Sequence, residues 1–192
     1  MRKIYTIISL VIILILLIAC IMIFFISYET QRITAIEGKV YANSIAYNWS
    51  ENATLISVRI ASTIGSGGYF TDWYYKFIDT TIITNETECI QIKITYDGGQ
   101  YITYNASIGP HTPIFDWRID SNDAYEIALA NEDIYSFMAH NPMVDGFFLS
   151  NASGIPTWYI DWTYDAGFDN PKWAEIQIDA TTGEVLYVEA DD

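Results

Sequence analysis

The chain has 192 residues, about half of them apolar, with 24 acidic side chains against nine basic ones and a net charge of −15. That balance excludes a nucleic-acid binder, which needs clustered Lys and Arg to displace counterions. The apolar and aromatic content excludes a disordered chain, and the acidity fits a solvated, outward-facing surface or a cationic partner.

Ile4 to Tyr28 is a run of 25 residues without a charge. A spanning helix needs roughly 20 apolar residues, whereas cleavable signal cores are shorter, about 7–15. Arg2 and Lys3 precede the run, and the mixed set Glu29, Arg32, Glu37 and Lys39 follows it. Residues 1–28 therefore read as a transmembrane signal anchor with the N-terminus cytoplasmic. This predicts a single-pass cell-membrane protein whose C-terminal domain is extracellular. Leu17-Ile18-Ala19-Cys20 resembles a bacterial lipobox, in which Cys20 is lipidated. Ile21 to Ile26 stay apolar where a lipoprotein turns polar, so a membrane-buried Cys20 is the preferred of the two readings.

Beyond the anchor lie five Asn-x-Ser/Thr sequons, at Asn48, Asn52, Asn85, Asn105 and Asn151. Half of the chain's ten Asn residues thus sit in glycosylation acceptors, as an externally displayed domain would have them. Cys20 and Cys89 fall on opposite sides of the predicted membrane and cannot pair, so there is no disulfide framework. Alternation in its strand puts Cys89 on the face opposite Ile90, Ile92 and Ile94, which predicts an exposed thiol.

Residues 29–39 read as a juxtamembrane linker. Tyr41, Ala42, Ile45, Ala46 and Trp49 then recur on one helical face. Leu55 to Ile60 is either a short helix or a strand. Tyr69 to Ile78 is a strand, with Trp73, Tyr75 and Phe77 on one face and Asp72, Tyr74 and Lys76 on the other. Glu88 to Tyr96 and Gln100 to Asn105 are strands joined at Asp97-Gly98-Gly99. The Gly109-Pro110 to Pro113 stretch is a boundary. Asp120 or Ser121 caps a helix carrying Ala124, Ile127 and Ala128, and a second helical pattern ends at Asn141-Pro142. Strands follow at Val144 to Leu149, Thr157 to Asp165, Trp173 to Asp179 and Glu184 to Glu189.

The later elements repeat the earlier ones. Trp73 to Phe77 aligns with Trp158 to Trp162, and Ile90-Gln91-Ile92 with Ile176-Gln177-Ile178. Residues 40–108 and 114–192 therefore read as two copies of one unit. Ser121 to Ala128, Pro156 to Ile160 and Ile178 to Leu186 resemble the opening helix, central Trp strand and closing hairpin of the PepSY domain family. The first copy retains Trp73 and Asp97-Gly98 but lacks the Asp-Ala-x-Thr-Gly turn. The residues marking the motif are Trp73, Trp158, Asp179, Thr182 and Gly183. In the turn the Asp179 carboxylate can accept backbone N–H groups, and Gly183 tolerates a positive φ.

The resemblance implies an α+β fold: an N-terminal transmembrane helix followed by two tandem units, each a helix packed on an antiparallel β-meander. It implies a non-enzymatic extracytoplasmic role in which the chain binds and modulates a secreted or envelope peptidase. No catalytic residue, cofactor or metal ligand stands out. His111 and His140 are isolated, with no HExxH, clustered Cys, GxSxG or P-loop. Asp161, Asp165 and Asp169 lack the EF-hand spacing; Asp161 and Asp165 share the outward strand face, which leaves a weak calcium contact open. The alternative function is a glycan- or cell-wall-binding module, with Tyr74 and Tyr159 outward as an aromatic platform while Trp73 and Trp158 face the core.

Overall fold

The computed structural model of the chain describes residues 12–21, 32–61, 65–66, 68–81, 87–95, 98–106, 112–151, 153–167 and 170–191. Helix α1 covers residues 12–21, α2 Ala35–Trp49, α3 Ser121–Leu129 and α4 Glu132–Met138. The strands are β1 Ala53–Ile60, β2 Gly65–Ser66, β3 Tyr69–Phe70, β4 Asp72–Asp79, β5 Thr87–Thr95, β6 Gly98–Ala106, β7 Met143–Ser150, β8 Thr157–Asp165, β9 Pro171–Asp179 and β10 Val185–Ala190. Eight of them form one sheet, in the order β10-β9-β8-β7-β1-β4-β5-β6, and β2 pairs with β3 alone. Every pairing in the large sheet is antiparallel.

Alternation explains the strands. Trp73, Tyr75 and Phe77 of β4, Ile90, Ile92 and Ile94 of β5, and Trp158, Ile160 and Trp162 of β8 all point to one face and are buried. A fully buried Ile contributes about 1.5–3 kcal/mol relative to leaving it in water. The helices cover this face. Ala35, Gly38, Ala42 and Ala46 are the buried residues of α2, and their small size lets its backbone lie close to the sheet. At Gly38 a Cβ would come within 2.2 Å of the Tyr75 hydroxyl, which donates to Ala35 O at 2.7 Å. Tyr41, expected on the buried face, is exposed.

The N-termini of α2 and α3 meet. Thr34 and Glu37 form a capping box at the start of α2. The Ala35 and Ile36 N–H groups donate to Ser121 Oγ (3.0 Å) and Asp120 Oδ1 (2.9 Å). Ser121 Oγ in turn donates to Gly68 O at 2.7 Å. Asp120 is also the N-cap of α3. One pair of residues therefore serves the orphan donors of two helices.

The structure corrects the expected architecture. β1 pairs with β7 through Ser57↔Ser150, Val58↔Leu149 and Arg59↔Phe148. The strands before and after the expected boundary thus share one sheet, and one hydrophobic core runs beneath all of it. Among the described residues the fold is mostly β, built on one large eight-stranded antiparallel sheet with four helices, in place of two separate helix-on-meander units. The physical reason is that β1, ambiguous in sequence, is a strand buried at Leu55, Ile56 and Val58, and it bonds on both sides.

The expected N-terminal transmembrane helix is corrected too. Among the described residues no helix is long and apolar enough to cross a membrane. α1 is exposed along its length, while residues 1–11 and 22–31, which make up most of the expected anchor, lie outside the described residues. Cys89, expected at the surface, is buried and in no disulfide. It lies in a strand flanked on both sides, opposite Ile78 of β4 and Tyr104 of β6.

Candidate functional site

Among the described residues no helix covers the face of the sheet turned away from α2, α3 and α4. One residue from each of the eight strands lines up across it: Tyr187, Gln177, Tyr159, Phe148, Arg59, Tyr74, Lys93 and Gln100 are successive cross-strand partners. Side chains directly opposite on neighbouring strands share a face and touch. The row is therefore continuous, spanning about 34 Å at the usual strand spacing. No single segment of the chain holds it; it exists only because the registers of seven strand pairs agree.

Three of the four aromatic rings in the row are engaged by neighbours. Phe148 and Tyr159 stack face to face, with centroids 4.7 Å apart and planes 5° from parallel. The Arg59 guanidinium lies 5.2 Å from the Tyr74 centroid. Ring faces that a sugar would stack on are thus used within the protein. The guanidinium is held in place by the contact.

Charge is sorted across the face. Arg59, Lys76 and Lys93 come from β1, β4 and β5. Lys93 Nζ bridges Asp72 at 2.5 Å. Burial pushes the Asp72 carboxyl upward, but hydrogen bonds from Lys93 and Thr71, with the Lys93 charge, outweigh it and hold the group below its ordinary value. Lys93 is raised by the same pair. On the other half, Asp161, Glu175 and Glu189 are adjacent cross-strand partners on β8, β9 and β10. Asp161 is half-buried, and its pKa is raised to about 6 by burial, then by the charges of Glu175 and Asp145. Gly146 opposite makes room for it, since a Cβ there would lie 2.5 Å from Asp161 Oδ2.

Two shallow depressions lie side by side in the basic half. One, of about 250 Å³, is lined by Ser57, Arg59, Tyr74, Lys76 and Gln91. The other, of about 200 Å³, is lined by Tyr74, Gln91, Lys93, Gln100 and Ile102. A third cavity, of about 340 Å³, lies on the helical side between α2, β1 and the Ile114-Phe115 segment. Lys39 at its edge sits 4.8 Å from the Trp117 ring, and burial lowers its pKa.

The sequence-derived residues fall in several places. Trp73 and Trp158 are fully buried, and their indole N–H groups donate to Ile33 O (2.9 Å) and Ile119 O (2.8 Å). Asp179 Oδ1 accepts from the N–H groups of Thr181 (2.7 Å) and Thr182 (3.2 Å), and Gly183 has φ +80°. This turn is anchored: Arg118 and Ile119 N–H donate to Ala180 O, and Thr181 Oγ1 donates to Asp116 O. These five residues build the fold rather than the open face.

Among the sequons, Asn48 and Asn52 are exposed. Asn151 is buried, with Nδ2 donating to Pro113 O at 2.8 Å. Asn105 has its backbone in β6, and Asn85 lies outside the described residues. His140 stacks on Tyr164, while His111 and Asp169 lie outside the described residues. Asp165 Oδ1 accepts from Gly167 N–H at 2.7 Å. Among the described residues no group of three His, Cys, Asp or Glu is placed to hold a metal ion. Tyr74 and Tyr159 do lie in one outward row. Sequence reasoning missed its neighbours Arg59, Phe148 and Gln177, because alternation gives a residue's face but not its partner on the next strand.

Comparison with known proteins gives a similarity in fold. The chain is similar to a solved structure of a lipoprotein candidate from Clostridium difficile 630, with a TM-score of 0.50 and 15% sequence identity, over 78% of this chain and 90% of that one. No family model matches the chain, and no curated protein is similar to it. What the comparison conveys is therefore the shape of the fold alone.

Proposed function

We propose that this chain is a non-enzymatic, extracytoplasmic, membrane-associated binding protein that engages a protein partner with the open face of its sheet. The row of eight side chains across that face is the observation that carries the reading. It offers a continuous surface of polar, charged and aromatic groups, with two adjoining depressions. The exposed sequons at Asn48 and Asn52 support display outside the cell. The fold likeness to a lipoprotein candidate supports an envelope setting. The PepSY resemblance of residues 121–128, 156–160 and 178–186 supports a peptidase as the partner, with the chain modulating its activity. Glycan binding is the weaker reading, because the Phe148, Tyr159 and Tyr74 rings are turned against each other and against Arg59.

The test is affinity capture with the full chain in non-ionic detergent. Recovery of an envelope peptidase whose activity falls on binding supports the proposal. Retention on cell-wall polysaccharide, with no protein partner recovered, refutes it.

A further inference from the structure

We infer that the basic half of the open face, on β1, β4 and β5, is a docking site for an extended acidic peptide segment of the partner. The inference rests on the binding role proposed above and names the chemistry of its ligand. The chain has nine basic residues against 24 acidic ones, yet three of the nine meet here. Tyr74 is the direct cross-strand partner of both Arg59 and Lys93. Lys76 stands two residues along β4 from Tyr74, so it is diagonal to both cations. Diagonal neighbours on adjacent strands lie about 7–8 Å apart. Alternate side chains of an extended peptide lie about 6.6–6.8 Å apart. Carboxylates at positions i and i+2 of such a peptide therefore match the strand-position spacing of Lys76 and Arg59, while Lys93 already holds Asp72 at 2.5 Å.

The groups between the cations suit a peptide. Gln91 and Gln100 each present a carboxamide that both donates and accepts, and Ser57 adds a hydroxyl. These can satisfy backbone N–H and C=O groups as well as side chains. A phosphate is held best by guanidinium forks converging on it. Here there is one Arg, laid over Tyr74, and the Lys93 ammonium is bridged to Asp72. Screening decides whether the overall negative charge forbids an acidic ligand. At physiological ionic strength charges are felt over about 8 Å, so the local charges, three cations against Asp72, govern contact.

The experiment is a fluorescence-anisotropy titration of the full chain, in non-ionic detergent, with a labelled peptide of alternating Glu and Thr. The expected result is saturable binding, loss of binding when every Glu of the peptide is replaced by Gln, and weakening as salt is raised. The double variant Arg59→Gln, Lys76→Gln should bind about tenfold more weakly with an unchanged thermal unfolding transition. Equal affinity for the Glu and Gln peptides overturns the inference without recourse to any variant. Tighter binding of inorganic polyphosphate than of the peptide overturns it as well. Capture of a peptidase by a chain that ignores the acidic peptide would defeat this inference and leave the binding role standing. Binding of the peptide with no protein captured would do the reverse.

Discussion

Trp73 on β4 and Trp158 on β8 meet edge to face, their ring centroids 6.2 Å apart, although β1 and β7 run between their strands. Each indole donates to the carbonyl two residues before a helix, Ile33 before α2 and Ile119 before α3. Phe147 bridges them, 5.9 Å from Trp73 and 5.2 Å from Trp158. Had the two tryptophans belonged to separate cores, they would not touch.

That contact makes a double-mutant cycle informative. Trp73→Phe and Trp158→Phe should each destabilise the protein by about 1–3 kcal/mol, through lost volume and a lost indole hydrogen bond. Because the rings touch, their effects should couple by about 0.5–1.5 kcal/mol. Denaturant unfolding of the four proteins measures the term, and strict additivity would contradict a shared core.

The junction of the two helices gives a second prediction. Ser121 is fully buried, accepts from Ala35 N–H and donates to Gly68 O. Ser121→Ala removes both bonds at once, and should cost about 2–3 kcal/mol for the groups left unpaired in the interior. Hydrogen exchange should quicken first at the Ala35 amide, at the start of α2. Unchanged exchange there would show that the capping role is misassigned.

Asp161 sets a pH dependence whose sign follows from its raised pKa. Folded, it titrates at about 6; its ordinary value is 3.8. Between these values the folded protein holds the proton more tightly than the unfolded chain, so this group's contribution falls as pH rises through that window. Asp161→Asn should raise stability at pH 7 by about 1 kcal/mol, a figure reduced for the group's partial exposure. It should leave stability at pH 4 nearly unchanged. Asp72 and Asp179 are held below their ordinary values and act in the opposite direction, losing their contribution as pH falls. The comparison of Asp161→Asn with the parent isolates Asp161.

Glycosylation is the fourth prediction. Expressed in a glycosylating host, the protein should carry glycan at Asn48 or Asn52 and none at Asn151. The Asn151 amide is buried against Pro113 O, with no room for a sugar. Glycopeptide mass spectrometry decides, and an occupied Asn151 in folded protein would contradict the placement of that side chain.

Much of the local structure was legible in the sequence. Trp73-x-Tyr75-x-Phe77 and Ile90-x-Ile92-x-Ile94 alternate as strands with one buried face must. Asp179 and Gly183 fit their turn because one accepts backbone N–H groups and the other adopts a positive φ. What could not be read was long-range register. Leu55-Ile56-Ser57-Val58 has neither a clean helical nor a clean strand period, since both Leu55 and Ile56 are buried beside a register shift. The β1–β7 pairing that merges the sheet was therefore invisible. So was the gathering of Arg59, Lys76 and Lys93, which depends on which residue faces which across three strands. Cys89 was misjudged for a related reason: alternation assigned its face correctly, but a face does not by itself fix exposure, and Cys89 is buried.

The most direct test of the binding face is site-specific photo-crosslinking in intact cells. A photoreactive residue at the position of Gln177, on β9 in the open row, is compared with one at the position of Ser44, exposed on α2. The account predicts a protein adduct from position 177 and none from position 44. Adducts from position 44 alone would place the partner on the helical side and contradict it.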